Sequence, residues 1–102
     1  MADTPEVTDV PDKKRYEARL DGALAGFADY LRTPDVIAFV HTEVDPAFEG
    51  RGVGSALVRA SLDDARRAGT KILPVCPFYS GWIAKHPEYQ DLVYQSTSTV
   101  KD

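Results

Sequence analysis

Apolar and polar positions alternate through residues 16–20: Tyr16, Ala18 and Leu20 point one way, Glu17 and Arg19 the other. That period of two predicts a half-buried strand. Asp21-Gly22 is a hairpin turn signal. Residues 24–31 return as a second strand, with Phe27, Tyr30 and Leu31 as candidate core contacts. Thr33-Pro34-Asp35 turns the chain again, and residues 36–44 form a third strand. The first half of this strand is apolar on both faces, which suits a central position in a sheet. Together the three predict an antiparallel meander.

The period changes after Asp45-Pro46. From Val53 to Ala68 the pattern is helical. At 100° per residue Val53, Ala56, Leu57, Ala60, Ser61 and Ala68 share one side. Ser55, Arg59, Asp63 and Arg66 share the other, with Arg59–Asp63 and Asp63–Arg67 spaced as i,i+4 pairs. Asp64 intrudes on the apolar side without a visible reason. Gly69 suits a helix C′ position. Residues 71–76 predict a fourth strand, parallel to the third because a helix connects them. Pro74 inside it cannot donate to a ladder, so one side of the strand is expected to be unpaired there. Residues 79–85 predict a short helix carrying Trp82 and Ile83, and residues 92–94 a last short strand. The fold class that results is α/β (α+β): a three-strand antiparallel meander, a glycine turn and long helix, then a parallel strand and short helix.

Length and charge narrow the possibilities. A chain of 102 residues suits one domain. Residues 1–12 have few apolar anchors and read as a flexible leader, 13–94 as the domain, and 95–102 as a flexible tail. Lys13, Lys14 and Arg15 read as a solvated start to the first strand. The longest apolar run covers residues 36–40, too short to cross a membrane. Residues 1–15 lack the apolar stretch of a secretory signal. The single cysteine, Cys76, excludes an internal disulfide and suits a reducing compartment, so a cytoplasmic location is expected. Two histidines and one cysteine, far apart in sequence, give no metal-ligand spacing, so no metal is expected. A net charge of −4 argues against nucleic acid and is compatible with a cationic or amine-bearing partner.

The chemistry is concentrated in residues 49–55, Glu49-Gly50-Arg51-Gly52-Val53-Gly54-Ser55, between the apolar third strand and the long helix. The spacing is neither that of a dinucleotide fold nor that of a P-loop. One reading is a tight turn that needs positive φ and holds no ligand. The other is an anion site, in which free N–H groups and the helix dipole face a phosphate. The position at the end of a strand favours the second.

This arrangement resembles the GNAT acetyltransferase superfamily, whose phosphate-binding motif reads Arg/Gln-x-x-Gly-x-Gly/Ala. Gly52 and Gly54 match it; Glu49 stands where Arg or Gln is usual, and Arg51 could partly offset its charge. The chain looks more closely like a small single-domain subgroup of about 90–100 residues. The stretches that carry the likeness are His41-Thr42-Glu43-Val44, residues 49–55, Pro74-Val75-Cys76-Pro77-Phe78 and His86-Pro87-Glu88-Tyr89. The resemblance implies acetyl-CoA as donor, with its pyrophosphate on residues 51–55 and its pantetheine along the Glu43–Val44 backbone, between the third and fourth strands. It also implies an open acceptor site, because the subgroup lacks the early helices of larger relatives.

The same resemblance implies the site residues. Cofactor contacts fall on Glu43, Val44, Glu49, Gly50, Arg51, Gly52, Val53, Gly54, Ser55, Pro77, Tyr79 and His86. Cys76 lies near the expected thioester: it is either a small buried hydrophobe, an acid for the departing thiolate, or a nucleophile that takes the acetyl group. Its place before a helix would lower its pKa. His41 and Glu43 share a strand face by alternation, and either could take the proton of an acceptor amine, though a satisfied strand histidine is the plainer reading of His41. Tyr79 could donate to the leaving thiolate or simply pack. His86 reads as a cap or a contact to a CoA phosphate. The expected function is N-acetyl transfer from acetyl-CoA to a primary amine in a ternary complex. The alternatives are a CoA-binding module without catalysis and a glycine turn that holds another phosphorylated ligand.

Overall fold

The computed structural model describes residues 4–95. Alternation at the start of the chain becomes strand β2 (Arg15–Leu20), and the turn at Asp21-Gly22 leads into β3 (Ala23–Arg32). Both turn residues have positive φ, as a tight hairpin requires. The apolar run becomes β4 (Val36–Val44). Ahead of them lies β1 (Glu6–Val10), antiparallel to β2 over five residue pairs. The expected leader, residues 1–12, therefore contributes an edge strand, and the meander has four strands instead of three. Val7 is its one apolar residue packed against the core, and Val10 falls on the other face by alternation, too little for the period to stand out from the surrounding acids and prolines. Of the expected tail, all but residue 95 lies outside the described residues.

Helix α1 spans Val53–Ala68 and helix α2 Pro77–Ala84; β5 (Lys71–Pro74) lies between them. The sheet order is β1-β2-β3-β4-β5, with β5 parallel to β4 and the rest antiparallel. Gly69 ends α1 in the left-handed conformation, as expected. Strand β5 stops two residues short of the expected end, because Cys76 is the N-cap of α2 and Pro77 its first residue. Val93 makes a single bridge to Ile72 where a last strand was expected.

The buried stripe of α1 is Val53, Leu57, Val58, Ser61, Leu62 and Ala65. Three alanines assigned to it from the sequence, Ala56, Ala60 and Ala68, lie at its border or outside it. The larger Val58 and Leu62 take their place, since burying a branched side chain removes more apolar area from water. The expected ion pairs Arg59–Asp63 and Asp63–Arg67 do not form: Tyr89 Oη donates to Asp63 at 2.7 Å, and Arg67 pairs with Asp64. Asp64 also accepts from Tyr16 Oη at 3.1 Å, which accounts for an acid at the edge of the apolar side. Both helices pack on one sheet face, where Tyr16, Ala18, Ala28, Tyr30, Ile37, Phe39, Leu57, Leu62, Ile72, Tyr79 and Leu92 form the core. Among the described residues no helix is long and apolar enough to cross a membrane.

Candidate active site

Two bulges shape the site. In the β3–β4 ladder Tyr30 pairs with Phe39 and Asp29 with His41, so Val40 is the extra residue. A bulge turns the following side chains over and bends the strand. Ile37 and Phe39 face the helices, whereas beyond the bulge it is Thr42, opposite Ala28, that does so. His41 and Glu43 turn to the uncovered face, where His41 lies 6.3 Å from the ring of Phe27. Their side chains touch, Nε2 to Oε2 at 3.2 Å, and both remain largely in solvent at 55% and 60% exposure. The second bulge is at Ala25 in β3.

At the same level the sheet opens. β4 and β5 pair from Val36↔Lys71 to Phe39↔Pro74, and the Cys76 N–H closes the ladder on the Phe39 carbonyl at 2.8 Å. Beyond that point the rest of β4, residues 40–44, pairs with β3 alone. Pro74, which has no N–H to donate, sits where the ladder ends, as its chemistry suggested. The Asp45 N–H donates to Ala25 on the β3 side. Alternation then directs the N–H of Val44 towards the opening.

Glycines build the next wall. Gly50 and Gly52 hold φ of 79° and 78°, which side chains rarely tolerate. Gly52 is the N-cap of α1 and provides no side-chain cap, so the first-turn amides of Val53, Gly54 and Ser55 have neither an intrahelical nor a side-chain acceptor in the described structure. Gly54 is glycine for another reason: a Cβ there would meet Phe78 Cζ at 2.7 Å. Glu49 and Arg51 are exposed at the turn. Ser55 Oγ accepts from Trp82 Nε1 at 3.0 Å.

Cys76 lies at the inner end of the opening, 5% exposed. Its thiol donates to Thr42 Oγ1 at 3.4 Å. Burial pushes its pKa up, but the Thr42 hydroxyl and the N–H groups of Tyr79, Phe78 and Thr42 outweigh this and hold the thiol below its usual range. Pro77 is exposed beside it. Two expected cofactor contacts make contacts within the protein, the plainer reading of each. Tyr79 is wholly buried, stacked on Phe39 at 4.3 Å, with its hydroxyl 2.7 Å from Ser61 Oγ; it is a core residue turned away from the opening. His86 stacks on Trp82 at 3.7 Å and its Nδ1 lies 2.7 Å from the Trp82 carbonyl, which makes it part of the α2 terminus.

The structure thus brings Cys76, Val44 and the glycine turn to one opening and puts His41 and Glu43 at its uncovered side. Thr42 had no role in the sequence reading, although alternation from His41 places it on the opposite face.

A family model for the GCN5-related N-acetyltransferases matches residues 15–92. The chain belongs to that family. It is 49% identical over 60 residues to the N-alpha-acetyltransferase RimI of Mycobacterium tuberculosis, a match that covers 55% of this chain and 38% of that protein. The chain thus matches well under half the length of that relative. A GCN5-like protein of Staphylococcus aureus superposes with a TM-score of 0.66 at 26% identity, over 87% of both chains. Rv2747 of M. tuberculosis, solved in complex with CoA, gives a TM-score of 0.54 at 26% identity, over 72% of this chain and 47% of that one. The α/β fold and the family read from the sequence are those found.

Proposed function

We propose that this chain is an acetyl-CoA-dependent N-acetyltransferase that acts on a primary amine within a ternary complex. The observation that carries the reading is the opening between β4 and β5, bordered by first-turn amides of α1 that the chain leaves uncapped. Those amides and the helix dipole suit a diphosphate. Residues 51–55 would hold it, with Glu49 and Gly50 completing the turn, and the free edge of β4 at Glu43–Val44 would hold an extended pantetheine. Bound there, acetyl-CoA supplies an activated acyl thioester.

The side chains divide the work across the sheet. An amine reaching the uncovered face meets the His41–Glu43 pair, which takes its proton. The nitrogen bonds to the acetyl carbon as the C–S bond breaks. The Val44 N–H is aimed to stabilise charge developing on the acetyl oxygen. From the helix face Cys76, its thiol pKa lowered, returns a proton to the departing sulfur. An ammonium substrate releases one net proton. Holding amine and thioester together in one opening lowers the entropic barrier.

The test is incubation with acetyl-CoA and a panel of amines, peptide N-termini included, with thiol release and acetylated product both measured. Amine-dependent product is expected. An acetylated Cys76 in the wild type, together with loss of amine-dependent CoA release in Cys76→Ser, would replace direct transfer by a covalent route. A second reading, a CoA-binding module without catalysis, draws support from Glu49 at the turn and from the sheet face left uncovered. Tight acetyl-CoA binding without turnover on any amine would favour it.

A further inference from the structure

Cross-strand pairing sets Glu17, Phe27 and Glu43 abreast on the uncovered face of the sheet. Leu24 and Phe27 are three residues apart, so plain alternation would send them to opposite faces. The bulge at Ala25 brings Leu24, opposite Arg19, to the side of Phe27. With Pro46 and the acids Glu43 and Asp45 they line a cavity of about 270 Å³. The cavity adjoins the candidate base: Glu43 Oε2 is 3.2 Å from His41 Nε2, and the Phe27 ring is 6.3 Å from the same imidazole.

We propose that this cavity seats the apolar substituent of an α-branched primary amine, the first side chain of a polypeptide acceptor. The proposal rests on the N-acetyltransferase reading above. Glu43 belongs to both places, as half of the pair assigned to the amine's proton and as one wall of the cavity. A group that fills the cavity therefore branches from the carbon that bears the nitrogen. The α-amine of a polypeptide has such a branch. A lysine ε-amine has only an unbranched methylene chain and leaves the cavity empty. The volume falls below the roughly 300–1,000 Å³ that hold a whole small ligand. It suits one side chain, with the rest of the polypeptide on the open face. Leu24 and Phe27 are half-buried, and a side chain laid on them removes apolar surface from water. The Arg15 guanidinium, tied to Glu17, lies 4.5 Å over the Phe27 ring and steadies that wall. Two of the lining residues are acids and none is basic, so an acidic first residue is repelled.

The experiment uses the full chain, acetyl-CoA and peptides that differ only in their first residue: leucine, phenylalanine, glycine or aspartate. Free leucine and an N-terminally blocked peptide with one lysine complete the set. The kcat/KM for the leucine peptide should exceed that for the glycine peptide by about tenfold or more. The aspartate peptide, the blocked lysine peptide and free leucine should all fall below the leucine peptide. These wild-type ratios need no variant to fold. Leu24→Trp, which fills the cavity, should bring the leucine-to-glycine ratio to about one. Leu24→Ala, which enlarges it, should shift the preference towards phenylalanine. Equal wild-type values for leucine and glycine, a preference that survives Leu24→Trp, or faster transfer to the lysine amine or to free leucine overturns the proposal and leaves N-acetyl transfer standing. Absence of product from every amine overturns both.

Discussion

Cys76 and Thr42 meet across the inner end of the sheet opening, Sγ to Oγ1 at 3.4 Å. They are 34 residues apart in sequence. The bulge at Val40 turns Thr42 to this side, and the N-cap position of Cys76 brings the thiol to it. When the thiol ionises, the hydroxyl can reverse and donate. Thr42→Val removes that donor at nearly constant volume. The Cys76 pKa should then rise, and its alkylation by iodoacetamide should move to higher pH, whereas Thr42→Ser should preserve the wild-type profile. An unchanged profile in Thr42→Val would mean that the backbone N–H groups alone set the acidity.

Two buried or semi-buried glycines give opposite expectations. At Gly26 a Cβ would lie 2.7 Å from the Glu43 carbonyl oxygen and 2.9 Å from Val53 Cγ1, so backbone of β4 would have to move. Gly26→Ala should destabilise by about 1–3 kcal/mol, read as a shift in urea midpoint. At Gly54 the obstacle is the tip of the half-exposed Phe78 ring, which can swing aside. Gly54→Ala also gains helix propensity of about 1 kcal/mol. Its stability should change little, but CoA affinity should fall because the displaced ring intrudes on the phosphate turn.

Much of this was legible in the chain. Alternation marked β2, the apolar run marked β4, and the change to a period of 3.6 marked α1. The glycine spacing marked the turn, and Pro74 the end of a ladder. The bulge at Val40 was not legible: strict alternation from Ile37 and Phe39 would send His41 and Glu43 to the helices, whereas the extra residue sends them to the uncovered face. Nothing local encodes a bulge that only cross-strand pairing reveals. Tyr79 misled for a related reason. A tyrosine just inside a helix near a cysteine reads the same whether it faces the opening or, as here, the core. Strand β1 was lost because none of its positions is fully buried and its register is set by β2.

Glu17 sits on the uncovered face, yet it is nearly buried beneath Arg15, Arg19 and Lys13. The hydrogen bond from Arg15, at 2.7–2.9 Å, is the main reason its carboxyl is held below the usual range; partial burial opposes this, and Arg19 and Lys13 add to the lowering. A depressed carboxylate pKa stabilises the folded state above the unfolded value, about 4.3 for glutamate, and that stability is lost as pH falls towards the folded value. Thermal midpoints measured from neutrality down to pH 3 should therefore fall more steeply in wild type than in Glu17→Gln. Parallel curves would show that the cluster contributes nothing to folding.

Ser61 and Tyr79 offer the sharpest test of where Tyr79 belongs. Ser61 Oγ donates to the Val58 carbonyl at 3.0 Å, which leaves the Tyr79 hydroxyl to donate to Ser61 at 2.7 Å. Both residues are buried. Removing Ser61 strands a buried hydroxyl, whereas removing the Tyr79 hydroxyl leaves Ser61 still bonded to Val58. Ser61→Ala should therefore cost about 1–3 kcal/mol and Tyr79→Phe about 0.5–1.5 kcal/mol, with the double variant less unstable than the sum. Because the hydroxyl points away from the opening, Tyr79→Phe should retain wild-type CoA affinity and wild-type turnover on whichever amine is accepted. A Tyr79→Phe protein that folds as wild type but turns over a hundredfold more slowly would return this tyrosine to the chemistry, and would require α2 to rotate when ligand binds.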